Sequence, residues 1–366
     1  MRVGIITITN GQNYGNRLQN YAVQVVLESI GCEAETIKNI TGDNNKRETK
    51  IINSIKKTIH IINDSYLGIN NERFNKISRY IKFEQFTNRL INQSKHIVSK
   101  GNISDVIKKE YDYFITGSDQ VWNPNFFFNS EIEFLTFAKK GQKIAYSPSF
   151  GISEIPIELR EKYSMLINQM DHLSVREEAG AEIIKDLTGR DASVLVDPTM
   201  MLSKHKWLSI ANKPKWKSDK EYILTYFLGN KDEEYKNKID RIKNKNNLEV
   251  INLLDISDKN AFSVDPSEFL WLINNAKLMC TDSFHGIVFS LIMKTNFILF
   301  TRKDKEVSMN SRLETLLSKF NMNNRVDKNI VSDEQIFNVD FSKVDEIISI
   351  EKEKAINYLK NALNIK

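Results

Sequence analysis

Residues 281–286 carry the most chemistry in the chain, with a carboxylate, two hydroxyls and an imidazole in the six letters TDSFHG. They follow an apolar stretch at 278–280 and precede another at 287–293. This order predicts a strand, an elbow and a helix, with His285 where the free N–H groups of the helix start favour an anion. His285 is therefore either placed to act on a negatively charged substrate or only a cap for the helix.

A second polar elbow, GSDQVWNP at residues 117–124, directly follows a predicted strand at 113–116. Parallel sheets bind ligands beyond the carboxyl ends of their strands, so this elbow is expected at the same crevice. Asp119 and Gln120 offer polar groups to a sugar, and Trp122 offers a ring for stacking. The alternative is that Asp119 caps a turn and Trp122 belongs to the core.

Further candidates follow other predicted strands. Asn16 ends a polar turn at residues 9–16 and is either a ligand contact or a turn former. Arg176 closes a strand, and Arg302 and Arg312 lie beyond the strand at 297–300. Guanidinium groups match carboxylates and phosphates with paired donors. The alternatives are a surface ion pair for Arg176 and a solvated loop for the other two.

Composition limits the class of protein. The chain has 366 residues, of which 41% are hydrophobic and 27% charged, and no apolar run reaches the roughly 20 residues that span a bilayer. Its N-terminus, MRVGIITIT, resembles a strand more than a signal peptide, so we expect a cytoplasmic protein. Cys32 and Cys280 are the only cysteines, and we expect neither a disulfide nor a metal site.

The net charge of +5 is concentrated in one region. Between residues 44 and 100 there are twelve Lys or Arg and four Asp or Glu, in a segment with helical periodicity. Such a basic amphipathic insert can contact an anionic membrane or an anionic acceptor, or it can be an ordinary solvated helical face. It contains no recognised nucleic-acid-binding module, so no nucleic-acid partner is expected.

Strands and helices alternate on both sides of a charged stretch at residues 204–220, which predicts an α/β fold with two Rossmann-like halves. The predicted domains are 1–203, with the basic insert at about 44–100, and 204–343. The helix predicted at 344–363 is long enough to bridge both halves.

Together, an NxGN turn (13–16), GSDQVWNP, SVRE (174–177), VLVDP (194–198), TDSFHG and NSR (310–312) resemble the polysaccharide pyruvyltransferase family. The resemblance covers nearly the whole chain, and the basic insert matches least. It implies a fold like that of GT-B glycosyltransferases, with the active site in the cleft between an N-terminal acceptor side and a C-terminal donor side. The implied reaction moves the carboxyvinyl unit of phosphoenolpyruvate onto two hydroxyls of a sugar, giving a pyruvate ketal and phosphate without a further cofactor.

The resemblance also implies roles for individual residues. His285 corresponds to the histidine of the family's His-Gly motif, as general acid or phosphate partner, and Gly286 follows it. Arg176 corresponds to an arginine that holds the donor, whereas Asp119 and Asn16 correspond to positions that line the cleft. Many members have arginine where this chain has Ser283, and Arg312 or Arg302 are the expected replacements.

Two other functions fit the same frame. One is a glycosyltransferase that uses a sugar nucleotide, and the other is a glycan-binding relative without catalysis. The acceptor itself, a sugar or a lipid-linked oligosaccharide of a cell-surface polysaccharide, is not specified by these motifs.

Overall fold

The computed structural model describes residues 1–9, 11–41, 71–126, 131–229, 232–302 and 311–366. The strands are short, and nearly all residues of the central strands are buried. In chain order they are β1 (Arg2–Ile6), β2 (Glu33–Asn39), β3 (Gln93–Val98), β4 (Tyr113–Thr116), β5 (Lys143–Ala145), β6 (Ser174–Val175), β7 (Ser193–Val194), β8 (Tyr222–Tyr226), β9 (Glu249–Asn252), β10 (Leu278–Thr281) and β11 (Phe297–Leu299).

These strands form two parallel sheets and a small parallel pair. The N-terminal sheet has the order β3-β2-β1-β4-β5, and β6 pairs with β7 beside it. The C-terminal sheet has the order β11-β10-β8-β9. The strand order reverses between β1 and β4 in one sheet and between β8 and β10 in the other, which are the positions where such sheets bind ligands. This topology confirms the predicted α/β class with two Rossmann-like halves.

Helices cover the sheets, as parallel strands require. They are α1 (Tyr14–Ser29), α2 (Asn71–Leu90), α3 (Ile107–Glu110), α4 (Arg160–Asn168), α5 (Glu178–Thr188), α6 (Lys204–Leu208), α7 (Glu233–Asn246), α8 (Lys259–Phe262), α9 (Pro266–Asn275), α10 (Phe284–Met293), α11 (Ser311–Lys319), α12 (Asp333–Phe337) and α13 (Val344–Ala362). Short 3-10 turns occur at Ile157–Leu159, Pro198–Met201, Asn323–Arg325 and Asp327–Asn329.

Two helices begin three residues earlier than the sequence pattern predicts. Helix α1 starts at Tyr14 because the Asn13 side chain caps it, accepting a hydrogen bond from Gly15 N at 2.8 Å. Helix α10 starts at Phe284 because Ser283 Oγ accepts from Gly286 N at 3.4 Å. Both elbows are therefore shorter than predicted, and their last polar residues belong to the first turn of a helix.

The two halves share an extensive interface. The predicted boundary at residue 203 lies between β7 and β8, immediately before α6. Helix α13 contacts both halves: Tyr358 Oη donates to Ala145 O at 2.6 Å, and Glu351 Oε2 accepts from Lys319 Nζ at 2.6 Å. One cluster of buried apolar side chains runs through both sheets without a break.

Residues 44–70 of the predicted basic insert lie outside the described residues. In the described part, Arg73, Lys76 and Arg89 of α2 are exposed, whereas Arg79 is buried and Lys82 is half-buried. Arg79 is 2% exposed, Lys82 Nζ lies 3.0 Å from Glu268 Oε2, and Arg89 Nη2 donates to Ser267 Oγ at 2.9 Å. Across the described residues, no helix has the length and apolar character to cross a bilayer.

Candidate active site

A cavity of about 260 Å³ lies between the halves, at the strand ends where both sheets reverse their order. It brings together several residues predicted for the site from distant parts of the chain. Those that line it are Asp119, Gln120, Ser283, His285, Arg302 and Arg312. Asn13 and Asp282 also line it, although the sequence analysis did not select them.

His285 is held from both halves. Its side chain is 6% exposed, in the first turn of α10, and its Nε2 lies 3.6 Å from Asp197 Oδ2. The other face of the ring lies against Gly15 of α1, where an added Cβ would come within 2.0 Å of His285 Nδ1. Only glycine allows this approach, so the NxGN turn positions the imidazole by leaving room for it.

Asp197 is a buried carboxylate that links most of the site. Its Oδ2 accepts from Arg176 Nη1 at 2.8 Å and from Ser118 Oγ at 2.9 Å, and its Oδ1 accepts from Thr199 Oγ1 at 2.6 Å. Burial alone would raise the pKa of Asp197, but the charges of His285 and Arg176 and the Thr199 hydroxyl lower it well below the usual value. Asp197 is therefore an anion that holds Arg176 and faces the imidazole of His285.

The sequence analysis missed Asp197, reading Asp197-Pro198 only as the end of a strand. A signal was available, because an aspartate at the carboxyl end of a buried parallel strand lies on the ligand-binding edge of a sheet.

Asp119 lines the cavity with φ of 66°, a conformation that is uncommon outside glycine. Its Oδ2 accepts from Asn16 Nδ2, and its Oδ1 accepts from Gln120 N at 2.8 Å. Asn16, predicted as a direct acceptor contact, is buried in the first turn of α1 and is not among the residues that line the cavity. It orients Asp119 instead.

Arg176 lies behind the cavity wall, and not in it as predicted for a donor-binding residue. Its side chain is 1% exposed, and its Cζ lies 4.3 Å from the centre of the Phe284 ring. Burial lowers the pKa of Arg176, but the carboxylates of Asp197, Asp119 and Glu177 more than offset this and raise it. With three anionic neighbours, Arg176 stabilises the carboxylates of the site.

Two more predicted contacts are also structural. Trp122 is fully buried, stacked on Phe134 with ring centroids 5.0 Å apart, and its Nε1 donates to Glu133 O at 3.1 Å. It cannot stack on a sugar, because its ring is enclosed by the core. Gly286 does not line the cavity, and an added Cβ there would lie 2.7 Å from Thr281 Oγ1.

The two arginines that do line the cavity differ in their surroundings. Arg302 Nε lies 2.8 Å from Asp282 Oδ2, and that carboxylate also accepts from Leu228 N and Gly229 N at 2.7 and 2.8 Å. The charge of Arg302 is thus already matched by a well-fixed anion.

Arg312 has no such partner. Among the described residues, no carboxylate lies within ion-pairing distance of it, and its buried Nε has no hydrogen-bond partner. With the Gln120 amide oxygen turned towards it, Gln120 Oε1 accepts from Arg312 Nη1 at 3.0 Å and from Nη2 at 3.2 Å. Burial, reinforced by the charge of Arg176, lowers the pKa of Arg312 to about 10, so the group remains a cation at neutral pH.

Helix ends add to this positive character. The N-cap residues of α1 and α10, Asn13 and Ser283, both line the cavity, so two helices of 16 and 10 residues direct their N-termini to it. An unpaired buried guanidinium beside two helix N-termini favours an anionic ligand. His285 and Asp119 place an imidazole and a carboxylate at the same cavity. Among the described residues, no group of His, Cys, Asp or Glu side chains is arranged to hold a metal ion.

Comparisons with known proteins place the chain in a family. Curated proteins give no match. Among solved structures, the chain is similar to a UDP-GlcNAc 2-epimerase of Methanocaldococcus jannaschii in complex with UDP-GlcNAc and UDP, with 13% identity over 96% of this chain and 99% of that chain and a TM-score of 0.46. It is also similar to the UDP-GlcNAc 2-epimerase of Neisseria meningitidis bound to UDP-GlcNAc, with 11% identity over 100% and 98% of the two chains and a TM-score of 0.49. The sequence model of polysaccharide pyruvyl transferase matches residues 13–304, most of the length, and the chain therefore belongs to the polysaccharide pyruvyl transferase family.

Proposed function

We propose that this enzyme transfers the carboxyvinyl unit of phosphoenolpyruvate to two hydroxyls of a sugar in a cell-surface polysaccharide precursor. The products are a cyclic pyruvate ketal and inorganic phosphate. Membership of the family supports pyruvyl transfer to a polysaccharide. The observation that carries the choice of donor is the unpaired, buried guanidinium of Arg312 in the cavity between the halves.

The donor has two anionic groups, a phosphate and a carboxylate, and the cavity offers matching groups for both. Arg312 presents a guanidinium that forms no ion pair among the described residues, and the N-termini of α1 and α10 present their dipoles. Arg302 is already paired with Asp282, so it contributes a weaker net attraction.

Arg312 also supplies the positive charge that is missing at Ser283, a position where many members of the family have arginine. Ser283 and Arg312 line the same cavity, although α11 lies beyond the segment that matches the family. A cation from α11 thus compensates for the one missing from the His-Gly motif.

The chemistry requires an acid and a base. His285 in its protonated form gives a proton to the methylene carbon of the donor, which becomes a methyl group and leaves its neighbouring carbon electron-poor. The first sugar hydroxyl adds to that carbon as its proton passes to Asp119. The second hydroxyl then replaces phosphate at the same carbon, with its proton passing to the departing phosphate, and closes the ketal ring. Asp197 places a negative charge 3.6 Å from His285 Nε2.

Calorimetric titration with phosphoenolpyruvate tests this proposal, with inorganic phosphate and UDP-sugars in separate arms. We expect the native protein to bind phosphoenolpyruvate, and Arg312→Met to weaken that binding about 100-fold, since the bonds to a charged group are lost. Arg302→Met is the matched variant from the same cavity, and its effect should be smaller because Asp282 already neutralises Arg302. Binding of a UDP-sugar in place of phosphoenolpyruvate would assign the cavity to a glycosyltransferase, and absence of phosphoenolpyruvate binding would also contradict the proposal.

Phosphoenolpyruvate enters this scheme as a co-substrate, and no step uses another cofactor. A lipid-linked acceptor and peripheral contact with an anionic membrane remain predictions from the basic insert. Binding to anionic vesicles that weakens as salt rises would support that contact, because exposed charges are screened over a shorter distance at high salt.

A further inference from the structure

Helix α2 contacts both halves of the protein, and Arg79 lies near its middle. The guanidinium donates from Nη1 to Tyr14 Oη at 2.8 Å and to Phe262 O at 2.7 Å, and from Nη2 to Gln12 O at 2.9 Å. These three acceptors belong to the loop and helix that follow β1 and to the end of α8 in the C-terminal half. One side chain therefore ties both halves together.

Aromatic rings surround the same guanidinium. Its Cζ lies 4.7 Å from the ring centres of Tyr14 and Phe83 and 5.3 Å from that of Phe262. No carboxylate among the described residues forms an ion pair with Arg79, which is 2% exposed. A buried cation without an anion is costly, so these hydrogen bonds and ring faces must stabilise it. A neutral side chain cannot donate to three such divergent acceptors.

The loop that Arg79 holds is part of the active-site wall. Gln12 and Tyr14, which it binds, flank Asn13, which lines the cavity. Tyr14 is fixed further by stacking on Phe269, with ring centres 4.2 Å apart, and by a hydrogen bond from its hydroxyl to Val264 O at 3.1 Å. The next residue, Gly15, is the one that lies against the His285 ring.

We infer that Arg79 is a positioning residue for the reaction: it sets the distance between the α1 N-terminus and His285 by tying residues 12–15 to the C-terminal half. Its effect on phosphoenolpyruvate rests on the proposed function, whereas its effect on the loop does not. Within the described part of the basic insert, Arg79 thus acts inside the enzyme, between its halves.

Three variants test this inference. Arg79→Met keeps the apolar stem and removes the three hydrogen bonds, and Arg79→Lys keeps the charge with fewer donors in a different geometry. Lys82→Met is the control, since Lys82 also reaches the C-terminal half from α2, through an ion pair with Glu268 that is partly exposed. Urea unfolding of all three establishes that each is folded under the assay conditions.

Hydrogen exchange is the first measurement. We expect Arg79→Met to increase amide exchange in a peptide covering residues 11–22 and to leave a peptide from α7 unchanged, whereas Lys82→Met should change neither. Unchanged exchange in residues 11–22 of Arg79→Met, or an equal change in Lys82→Met, would overturn the inference. This measurement remains decisive even if the protein does not bind phosphoenolpyruvate.

Donor affinity and chemical rescue are the second measurement. In the folded Arg79→Met protein, phosphoenolpyruvate should bind about tenfold more weakly, as expected when bonds to a charged group that hold the site are lost. Arg79→Lys should recover part of this loss. In a further variant, Arg79→Ala, checked for folding in the same way, added guanidinium ion should restore binding. If affinity stays native in Arg79→Met while only the free energy of unfolding falls, Arg79 has a purely structural role and the inference fails.

Discussion

The two walls of the cavity use their charges differently. On the N-terminal wall, Arg176 has Asp197, Asp119 and Glu177 around it, and the group is buried behind Phe284. On the C-terminal wall, Arg312 lines the cavity with no carboxylate partner among the described residues. The first arrangement holds the site together, and the second leaves a cation for a ligand. Two arginines buried near the same cleft can therefore differ in role. The presence or absence of carboxylate partners distinguishes them.

The largest effect is expected from Asp197→Asn, which removes the anion of the N-terminal wall. Removing one partner of a buried pair costs about 3–5 kcal/mol, so the free energy of unfolding should fall by that amount at neutral pH. The pKa of Asp197 is lowered in the folded state, so its contribution is complete above the unfolded value of about 3.9 and is lost as the pH falls. The difference in the free energy of unfolding between the native protein and the variant should therefore become smaller below about pH 4.

Urea unfolding across this pH range measures the effect. Asp191→Asn is the control, because Asp191 pairs with Lys185 on the surface and is 90% exposed. A pH-independent gap for Asp197→Asn would mean that the carboxylate does not stabilise the fold through its charge.

The contrast between the walls can be tested with matched substitutions of the two arginines. Arg176→Met leaves three buried carboxylates without their cation and should lower the free energy of unfolding by about 3–5 kcal/mol. Arg312→Met removes a buried cation that has no carboxylate partner among the described residues, so stability should be unchanged or higher while donor binding weakens about 100-fold. Chemical unfolding of both variants distinguishes them. Equal destabilisation by the two substitutions would show that Arg312 also has a structural role.

Gly15→Ala tests the contact between the two walls of the cavity, where Gly15 lies against the His285 ring. The new methyl group would overlap His285 Nδ1, so the imidazole must move, and displacements of about 1 Å cost about 100-fold in rate. Phosphate release from phosphoenolpyruvate with acceptor present measures the loss. The double variant Gly15→Ala/His285→Ala is the control, because without the ring the methyl group should have no further effect. An additional loss in the double variant would contradict this explanation.

The smallest effect is expected far from the cavity, at the amino ends of the strands. There Glu110 accepts from His96 and from Arg2 Nη1, and these bonds lower the pKa of Glu110 to about 2. Its contribution to stability is present above the unfolded value of about 4.3 and fades as the pH falls towards 2.

Glu110→Gln should therefore cause a small loss of stability at neutral pH that disappears in acid, with donor affinity unchanged. Thermal unfolding at neutral pH and in acid measures the stability, and calorimetry measures the donor affinity. Glu33→Gln is the control, because Glu33 is exposed. A change in donor affinity would show that this distant cluster is coupled to the site.

The sequence predicts the fold well because the strands are buried on both faces and alternate with helices of ordinary length. The proline and aspartate at the start of α9 define its limits, Pro266–Asn275, through a capping box. Helices α1 and α10 were harder to delimit, since their capping side chains, Asn13 and Ser283, lie within polar runs that also suit a turn. The predicted elbows were too long for that reason.

The site was predicted only in part. Residue type and position after a strand select His285 and Asp119, which line the cavity. The same rule selects Trp122 and Arg176, but their exposure depends on Phe134 and Phe284, which pack over them and are distant in sequence. The sequence pattern did not indicate a role for Arg79, because its three hydrogen-bond acceptors belong to residues 12, 14 and 262. Such contacts are set by how the halves pack.

Helix α13 has a consequence for the order in which the protein is made. Tyr358 reaches back 213 residues to bind the carbonyl of Ala145 at the edge strand β5, and Asn364 reaches Tyr113 of β4 at 2.9 Å. During synthesis, the N-terminal sheet leaves the ribosome long before these partners exist. The N-terminal half must therefore keep that face uncovered until residues 344–364 have been synthesised, when α13 can close it.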